Sequence, residues 1–433
     1  MNHHHLKRPA AALAAVGLTL AGCSSHTSAP APLTTTAAAD SADVAKMDTG
    51  PYAISATHPY GTAGDDRFAQ GVLESQRLAV VTVGPWQVNP KLILWGSVLN
   101  AGVTGTIPNA DAMRNGSMLP GPLPDIAARN GLMAGFSTAR LAPAEQGSSP
   151  LGAPKFWGLQ TLVLRFPDPA AAAAAAAQLA AADPQPATAT SAGQPVTLQG
   201  TPEAVARSYE LSDGRTEVHA FTPHNAFVLY QSAVVGSDAP LGLSARMLVF
   251  DAVADQRRLL DSFVPTPADK LADLPLDPSG SLLARTLTNP SGSIPAMVGT
   301  WTPTAWLAFE DNPPAAATIL DEAGVDWGAQ RLATVYQTKN ADSATAMLTK
   351  VVDGLRRTEG AKPAAPVPGL PQARCFERGD VEGLQEAAQS WQRIAWRFKC
   401  AAATGRYVFT VYAADGRDAQ QRISAQWRIL AGK

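Results

Sequence analysis

"FWGLQTLVLRFPDPAAAAAAAAQLAAADP", residues 156–184, decides how the chain is read. Residues 156–166 are rich in Leu, Val and Phe and bounded by Pro167, which reads as a buried strand. Asp168 is a natural helix N-cap and Pro169 a natural first helical residue. A helix is therefore expected through the alanine tract to about Ala182, where Asp183-Pro184 stops it. Methyl-only side chains let such a helix lie close on a sheet, so the tract's low complexity does not imply disorder. Strand candidates "AVARSYEL" (204–211), "TEVHAFTP" (216–223) and "AFVLYQSAV" (226–234) follow, then a closing helix, "ARMLVFDAVADQRRLLDSFV" (245–264).

The pattern recurs. "DWGAQRLATVYQT" (326–338) shares Trp-Gly-x-Gln with Trp157-Gly158-x-Gln160 and precedes a helix from Ala341 to about Leu355. Strands "ARCFER", "WRFKCAA" and "RYVFTVYA" come next, then the helix "DAQQRISAQWRIL" (418–430). Both halves read β-α-β-β-β-α. The fold class expected is α+β: two related units with mainly antiparallel sheets. In this reading the helices of each unit cover one sheet face, Trp157 and Trp327 are equivalent, and a crevice lies at the junction.

Working outward, residues 65–81 have helical spacing, with Glu74 and Arg77 as an i,i+3 pair. A second early helix is expected from an Asp125 N-cap to a stop at Gly131, and the Gly-, Pro- and Asn-rich stretch 86–122 reads as irregular. The domain plan is then a signal peptide (1–22), a disordered tether (23–56), an N-terminal α+β domain (57–268), a linker (269–299) and a C-terminal α+β domain (300–433).

The first two of those segments fix location. Lys7 and Arg8 precede the apolar run 11–21, which is too short to span a bilayer, and Leu20-Ala21-Gly22-Cys23 has the form of a bacterial lipobox. Cys23 is thus expected to carry the lipid anchor, acyl chains contributing ~0.8 kcal/mol per buried CH₂. Removing residues 1–22 takes His3, His4 and His5 with it. The tether, small and polar, has a root-mean-square reach of roughly 30 Å. In an exported chain the remaining cysteines, Cys375 and Cys400, are expected to form one disulfide across neighbouring strands.

Lys+Arg 34 nearly balances Asp+Glu 36 and no basic run occurs, which argues against nucleic acid as a partner. The chain carries no P-loop, dinucleotide fingerprint, zinc-protease or Cys-x-x-Cys pattern, and no cofactor, metal or catalytic residue is expected. "GFSTA" (135–139) departs from a nucleophile elbow by its alanine, so Ser137 reads as a turn serine. His219 and His224 flank a hairpin, matched by Lys399 and Thr404 in the second unit, and read as surface histidines without a third zinc ligand. Asp65-Asp66, Glu310-Asp311 and Asp321-Glu322 read as helix-start or solvated carboxylates. Trp157, Trp327, Trp396 and Trp427 read as core, whereas some of Trp86, Trp95, Trp301 and Trp306 are candidates to line a groove.

"LESQRLAVVTVGPWQVNPKL" (73–92), "GLMAGFSTAR" (131–140), "GLPQARCFER" (369–378) and "GRYVFTVYAADGRDAQQRISAQWRIL" (405–430) resemble a family of uncharacterised actinobacterial lipoproteins of mycobacteria, nocardiae and relatives. The resemblance covers nearly the whole mature chain. It implies N- and C-terminal domains of unknown function, a cell-envelope location and a paired-cysteine C-terminal domain, and it supplies no activity. The C-terminal layout also resembles extracellular sensor domains of actinobacterial receptor kinases. The function expected is non-enzymatic: a lipid-anchored protein on the extracytoplasmic face of the membrane that binds an apolar ligand or an envelope protein. The alternative is an envelope hydrolase of esters or glycolipids acting through Ser137. Cys23→Ala is expected to release the protein from the membrane fraction; a membrane-bound variant, with no acyl mass on wild-type Cys23, would contradict the anchor.

Overall fold

A computed structural model of the chain describes residues 42–95, 103–142, 157–236, 239–288, 298–379, 393–394 and 396–433. Cys23 and the signal peptide lie outside the described residues. Among the described residues, fourteen strands form two antiparallel sheets of seven strands each. The first holds β1 (Gly105–Ile107), β2 (Ala134–Leu141), β3 (Gly158–Arg165), β4 (Gln194–Val196), β5 (Val205–Glu210), β6 (Thr216–His224) and β7 (Phe227–Val235) in the order β1-β2-β3-β7-β6-β5-β4. The second holds β8 (Gly299–Trp301), β9 (Trp327–Gln330), β10 (Ala333–Gln337), β11 (Lys362–Pro363), β12 (Arg374–Glu377), β13 (Phe398–Thr404) and β14 (Tyr407–Ala413). Its order, β8-β9-β10-β14-β13-β12-β11, repeats the first.

Helices complete the repeat. α1 (Arg67–Ala79) and α2 (Pro85–Val88) precede the first sheet. α3 (Ala110–Asn115) and α4 (Leu123–Arg129) follow β1, as α7 (Pro303–Trp306) and α8 (Pro313–Glu322) follow β8. α5 (Pro169–Ala182) corresponds to α9 (Ala341–Arg357), and α6 (Ala245–Asp261) to α10 (Gly416–Ala431). The caps also correspond: Asp168 accepts a hydrogen bond from the Ala171 amide and Asn340 from the Ser343 amide, each at 2.8 Å.

The helices do not share a sheet face as expected. α5 packs Ala172, Ala175 and Leu179 on Leu162, Phe221, Val228 and Tyr230. α6 packs Leu248, Val249 and Ala252 on Val218, Ala220, Ala233 and Val235. Since alternate strand residues point to opposite faces, the two helices sandwich the sheet between them. α9 and α10 repeat this, on Ala401 and Tyr412 and on Cys400, Phe409 and Val411 respectively. Each unit is a three-layer body.

The shared Trp-Gly-x-Gln also falls out of register. Trp157 precedes β3, whereas Trp327 opens β9, the counterpart of β2; the counterpart of β3 is β10. The sequence 326–338, expected as one strand, is a hairpin whose turn amide, Leu332 N–H, is held by the Leu287 carbonyl. Aligning the two hairpins β6–β7 and β13–β14 on His224↔Phe227 and Thr404↔Tyr407 gives the true equivalences. Lys399 then stands where His219 does, and the disulfide-bonded pair Cys375↔Cys400 where Ala206↔Ala220 does.

Three boundary expectations are also corrected. Residues 86–122 contain α2, β1 and α3, and α4 begins at Leu123, two residues before Asp125. Residues 42–56, expected as tether, lie on the second unit: Val44, Met47 and Tyr52 pack on its core and Tyr52 Oη donates to Asp418. Residues 269–288 are no spacer, because Leu271, Leu282 and Leu287 are buried and residues 272–276 exchange backbone hydrogen bonds with residues 61–64.

The register makes a sharp test. Ala206→Cys with Ala220→Cys is expected to form a second disulfide, detected by non-reducing peptide mapping. Replacing Cys375 and Cys400 by Ala should cost about 3.5 kcal/mol of stability in denaturant melts, the chain-entropy value for a loop of this length.

Candidate functional site

The two sheets share one core. Phe136 and Val163 on one face of the first sheet, with Leu78 of α1 behind them, meet Trp301 of β8, Trp306 of α7 and Phe309. The Phe136 ring lies 6.3 Å from Trp301 and 6.0 Å from Phe309, and Trp301 is 4.8 Å from Phe309, all edge-to-face. Where β8 starts beside α1, Gly299 holds a φ of +143°, which L side chains rarely adopt, and Gln76 Nε2 lies where a Cβ would stand. Gln76 Nε2 in turn donates to the Val298 carbonyl at 3.2 Å.

A cleft of about 300 Å³ opens on this junction. Leu73 of α1 and Val80 just past its end, Leu274, Pro275 and Pro278 of the segment between the units, and Trp327 supply its apolar walls. The cation beside it is engaged elsewhere. Arg77 donates to Glu74 at 2.8 Å and to the Val264 carbonyl at 2.9 Å, over the Phe263 ring. Glu74, only 1% exposed, also accepts from Arg165 of β3 and from Thr266, so this buried carboxylate is paired on both oxygens.

A second junction cluster is ionic. Arg140, fully buried at the end of β2, lies 3.4 Å from the Trp95 ring centroid and donates to the carbonyls of Ala308 (2.6 Å) and Glu310 (3.2 Å). Burial pushes its guanidinium down to about 9, against the raising fields of Asp311 and Glu310. The Glu310 carboxylate accepts from Trp306 Nε1 and from Tyr336 Oη (2.6 Å), and Trp95 Nε1 donates to Asp311 at 3.3 Å. Arg393 stands 5.3 Å from the Trp306 ring centroid, and Arg378 5.2 Å from that of Trp396. Burial pushes the Lys399 ammonium below its ordinary value, with Asp311 and Glu310 opposing and Arg393 and Arg378 reinforcing the fall.

Residues 60–276 match the family described as "Domain of unknown function (DUF7373) N-terminal", and residues 282–433 its C-terminal counterpart. The chain belongs to the DUF7373 family. Among curated proteins none matches it. A solved structure similar to part of it is the extracellular domain of PknH from Mycobacterium tuberculosis, at 16% identity over 34% of this chain and 73% of that one. Its TM-score is 0.23, and the likeness carries no argument here.

Within this DUF7373 chain the residues singled out in the sequence are dispersed. Ser137 is no turn serine: it is buried in mid-strand β2, and its Oγ accepts from Gln160 Nε2 at 3.2 Å. His219 and His224 share β6 but, five residues apart, face opposite sides of the sheet, and His224 bonds Asp261 at 2.8 Å. His219 is buried, not superficial, held by Asp183 at Nδ1 (2.8 Å) and Glu217 at Nε2 (2.9 Å). Those carboxylates sit on opposite ring nitrogens and cannot share one ion with the ring. Trp301 and Trp306, groove candidates from the sequence, are core, whereas Trp327, read as core, lines the cleft. Glu310, expected on a solvated face, is bound by Trp306 and Tyr336. Arg140, Arg393 and the burial of Lys399 had no sequence signal beyond the pairing of Lys399 with His219.

Burial alone would lower the His219 value, but its hydrogen bonds to the Asp183 and Glu217 carboxylates raise it from 6.5 to about 9. Being higher folded than unfolded, it contributes stability present in full below about pH 6.5 and lost as pH rises towards about 9. Thermal melts of wild type should lose stability over that window, by up to about 3 kcal/mol. His219→Gln should flatten the loss.

Proposed function

We propose that this protein is a lipid-anchored, extracytoplasmic binding protein that holds an aliphatic chain in the junction cleft and performs no turnover. The observation that carries the reading is the cleft itself, whose walls are Leu73, Val80, Leu274, Pro275 and Pro278 with Trp327. Its size lies at the low end of ligand pockets, which run about 300–1,000 Å³. Aliphatic and prolyl walls with one indole suit a flexible alkyl chain better than a flat ring system, which would gain from facing aromatics. Gln76, Arg77, Thr300 and Thr302, the polar side chains at the cleft, are all bonded within the protein, so the walls offer apolar contact first. Among the described residues no helix is long and apolar enough to cross a membrane, so the proposed attachment rests on Cys23.

The hydrolase alternative loses its nucleophile. Ser137 lies in the middle of a regular strand, 0% exposed, without a histidine bonded to it.

A fluorescent long-chain fatty acid titrated into the full chain is expected to bind saturably and to accept energy from Trp327. Val80 sits at the exposed end of α1, so Val80→Trp fills the cleft without entering the core. Binding should weaken at least tenfold, roughly 1.4 kcal/mol. Absence of saturable binding, or equal affinity in Val80→Trp, would contradict the proposal.

A further inference from the structure

The internal repeat supplies its own control for a buried charge. In the first unit the cation at the β6 position, His219, is bonded on both nitrogens by Asp183 and Glu217. At the same register position of the second unit stands Lys399, 7% exposed, on the β13 strand that pairs with Phe376 of β12. Arg393, 4% exposed, has neither Nε nor Nη2 hydrogen-bonded within the protein. A buried guanidinium left with donor nitrogens unfilled is costly, so Arg393 calls for an explanation.

The local charges do not balance. Arg140, Arg378, Arg393 and Lys399 act together with Glu310 and Asp311, which leaves an excess of two positive charges in the cluster among the described residues. Neither carboxylate is hydrogen-bonded to the Arg393 Nε or Nη2: Glu310 Oε1 accepts from Trp306 and Tyr336, and Asp311 Oδ1 accepts from Trp95. Asp311 itself is exposed, so the cluster meets solvent at that edge. Trp306 under Arg393 and Trp396 under Arg378 provide aromatic faces that hold the guanidinium planes.

We infer that Arg393 and Lys399 form a binding site for a phosphate dianion, free or as a monoester on a larger molecule. A phosphate monoester carries about −1.5 to −2 charge at neutral pH and several acceptor oxygens, matching both the excess charge and the unfilled donors. A guanidinium with two unfilled donor nitrogens and a point ammonium are the usual complements of such an oxyanion. This site is independent of the apolar cleft, so Val80→Trp should leave it intact.

Inorganic phosphate titrated into the full chain at constant ionic strength is expected to raise the melting temperature of wild type and to perturb tryptophan emission, since Trp306 and Trp396 adjoin the cations. Arg393→Gln and Lys399→Gln should each weaken binding tenfold or more, while Arg417→Gln, at an exposed surface cation, should not. Vesicles of phosphatidylcholine with and without phosphatidic acid separate the sources. Binding to phosphatidic acid vesicles that phosphate competes away, and that Arg393→Gln loses, identifies a lipid monoester; phosphate binding without vesicle binding identifies a free anion. Should either variant fail to fold, the wild-type melt decides alone. No rise up to 50 mM phosphate (on the order of the highest plausible working level for a specific site) would overturn the inference, as would phosphate binding that both variants retain.

Discussion

The contact of Phe136 with Trp301 and Phe309 is the constraint on which the rest of the molecule depends. Each aromatic side chain buries about 150–250 Å², and at about 25 cal/mol per Å² such rings outweigh the polar contacts around them. Because they come from both sheets, neither unit completes its core without the other. The same contact brings β8 beside α1, where the positive φ of position 299 favours glycine. It also carries the 307–311 segment to the end of β2, where Arg140 receives the carbonyls of Ala308 and Glu310. Cleft and ionic cluster are both by-products of that one junction.

The repeat shows how one frame was filled with different chemistry. Ile107 in the first unit stays inside its own core, while its counterpart Trp301 reaches across to the other sheet. The first unit's β6 and β7 are nine residues each, against seven for β13 and β14. A shorter ladder has fewer cross-strand pairs, and the second unit adds a covalent one, Cys375–Cys400, where the first has two alanines. His219 and Lys399 diverge in the same manner, one hydrogen-bonded to two carboxylates and the other set in the fields of Arg393 and Arg378 as well as of Asp311 and Glu310.

Features set by local chemistry were legible in the sequence. Asp168-Pro169 announces α5, Asn340 announces α9, and the β-rich runs before α6 and α10 are the strands that form. Failures came where tertiary contacts decide. Arg331-Leu332 has none of the usual hairpin turn residues, yet the chain turns there because the Leu287 carbonyl holds the turn amide. The Trp-Gly-x-Gln coincidence paired β3 with the wrong strand, since short identities carry no register. Helix amphipathicity says which side of a helix is buried but not which face of the sheet receives it, so the three layers were read as two. The ionic cluster joins residues 95, 140, 310 and 393, whose proximity no local pattern encodes.

Hydrogen exchange of the full chain carrying Trp301→Ala tests the shared core most directly. Truncating a buried aromatic of this kind costs about 3–5 kcal/mol. If the two units are stabilised through one junction, protection should fall together, and by a similar amount, in β2 and β3 of the first sheet and in β9 and β10 of the second. Loss confined to residues 299–433, with β2 and β3 as protected as in wild type, would contradict the account.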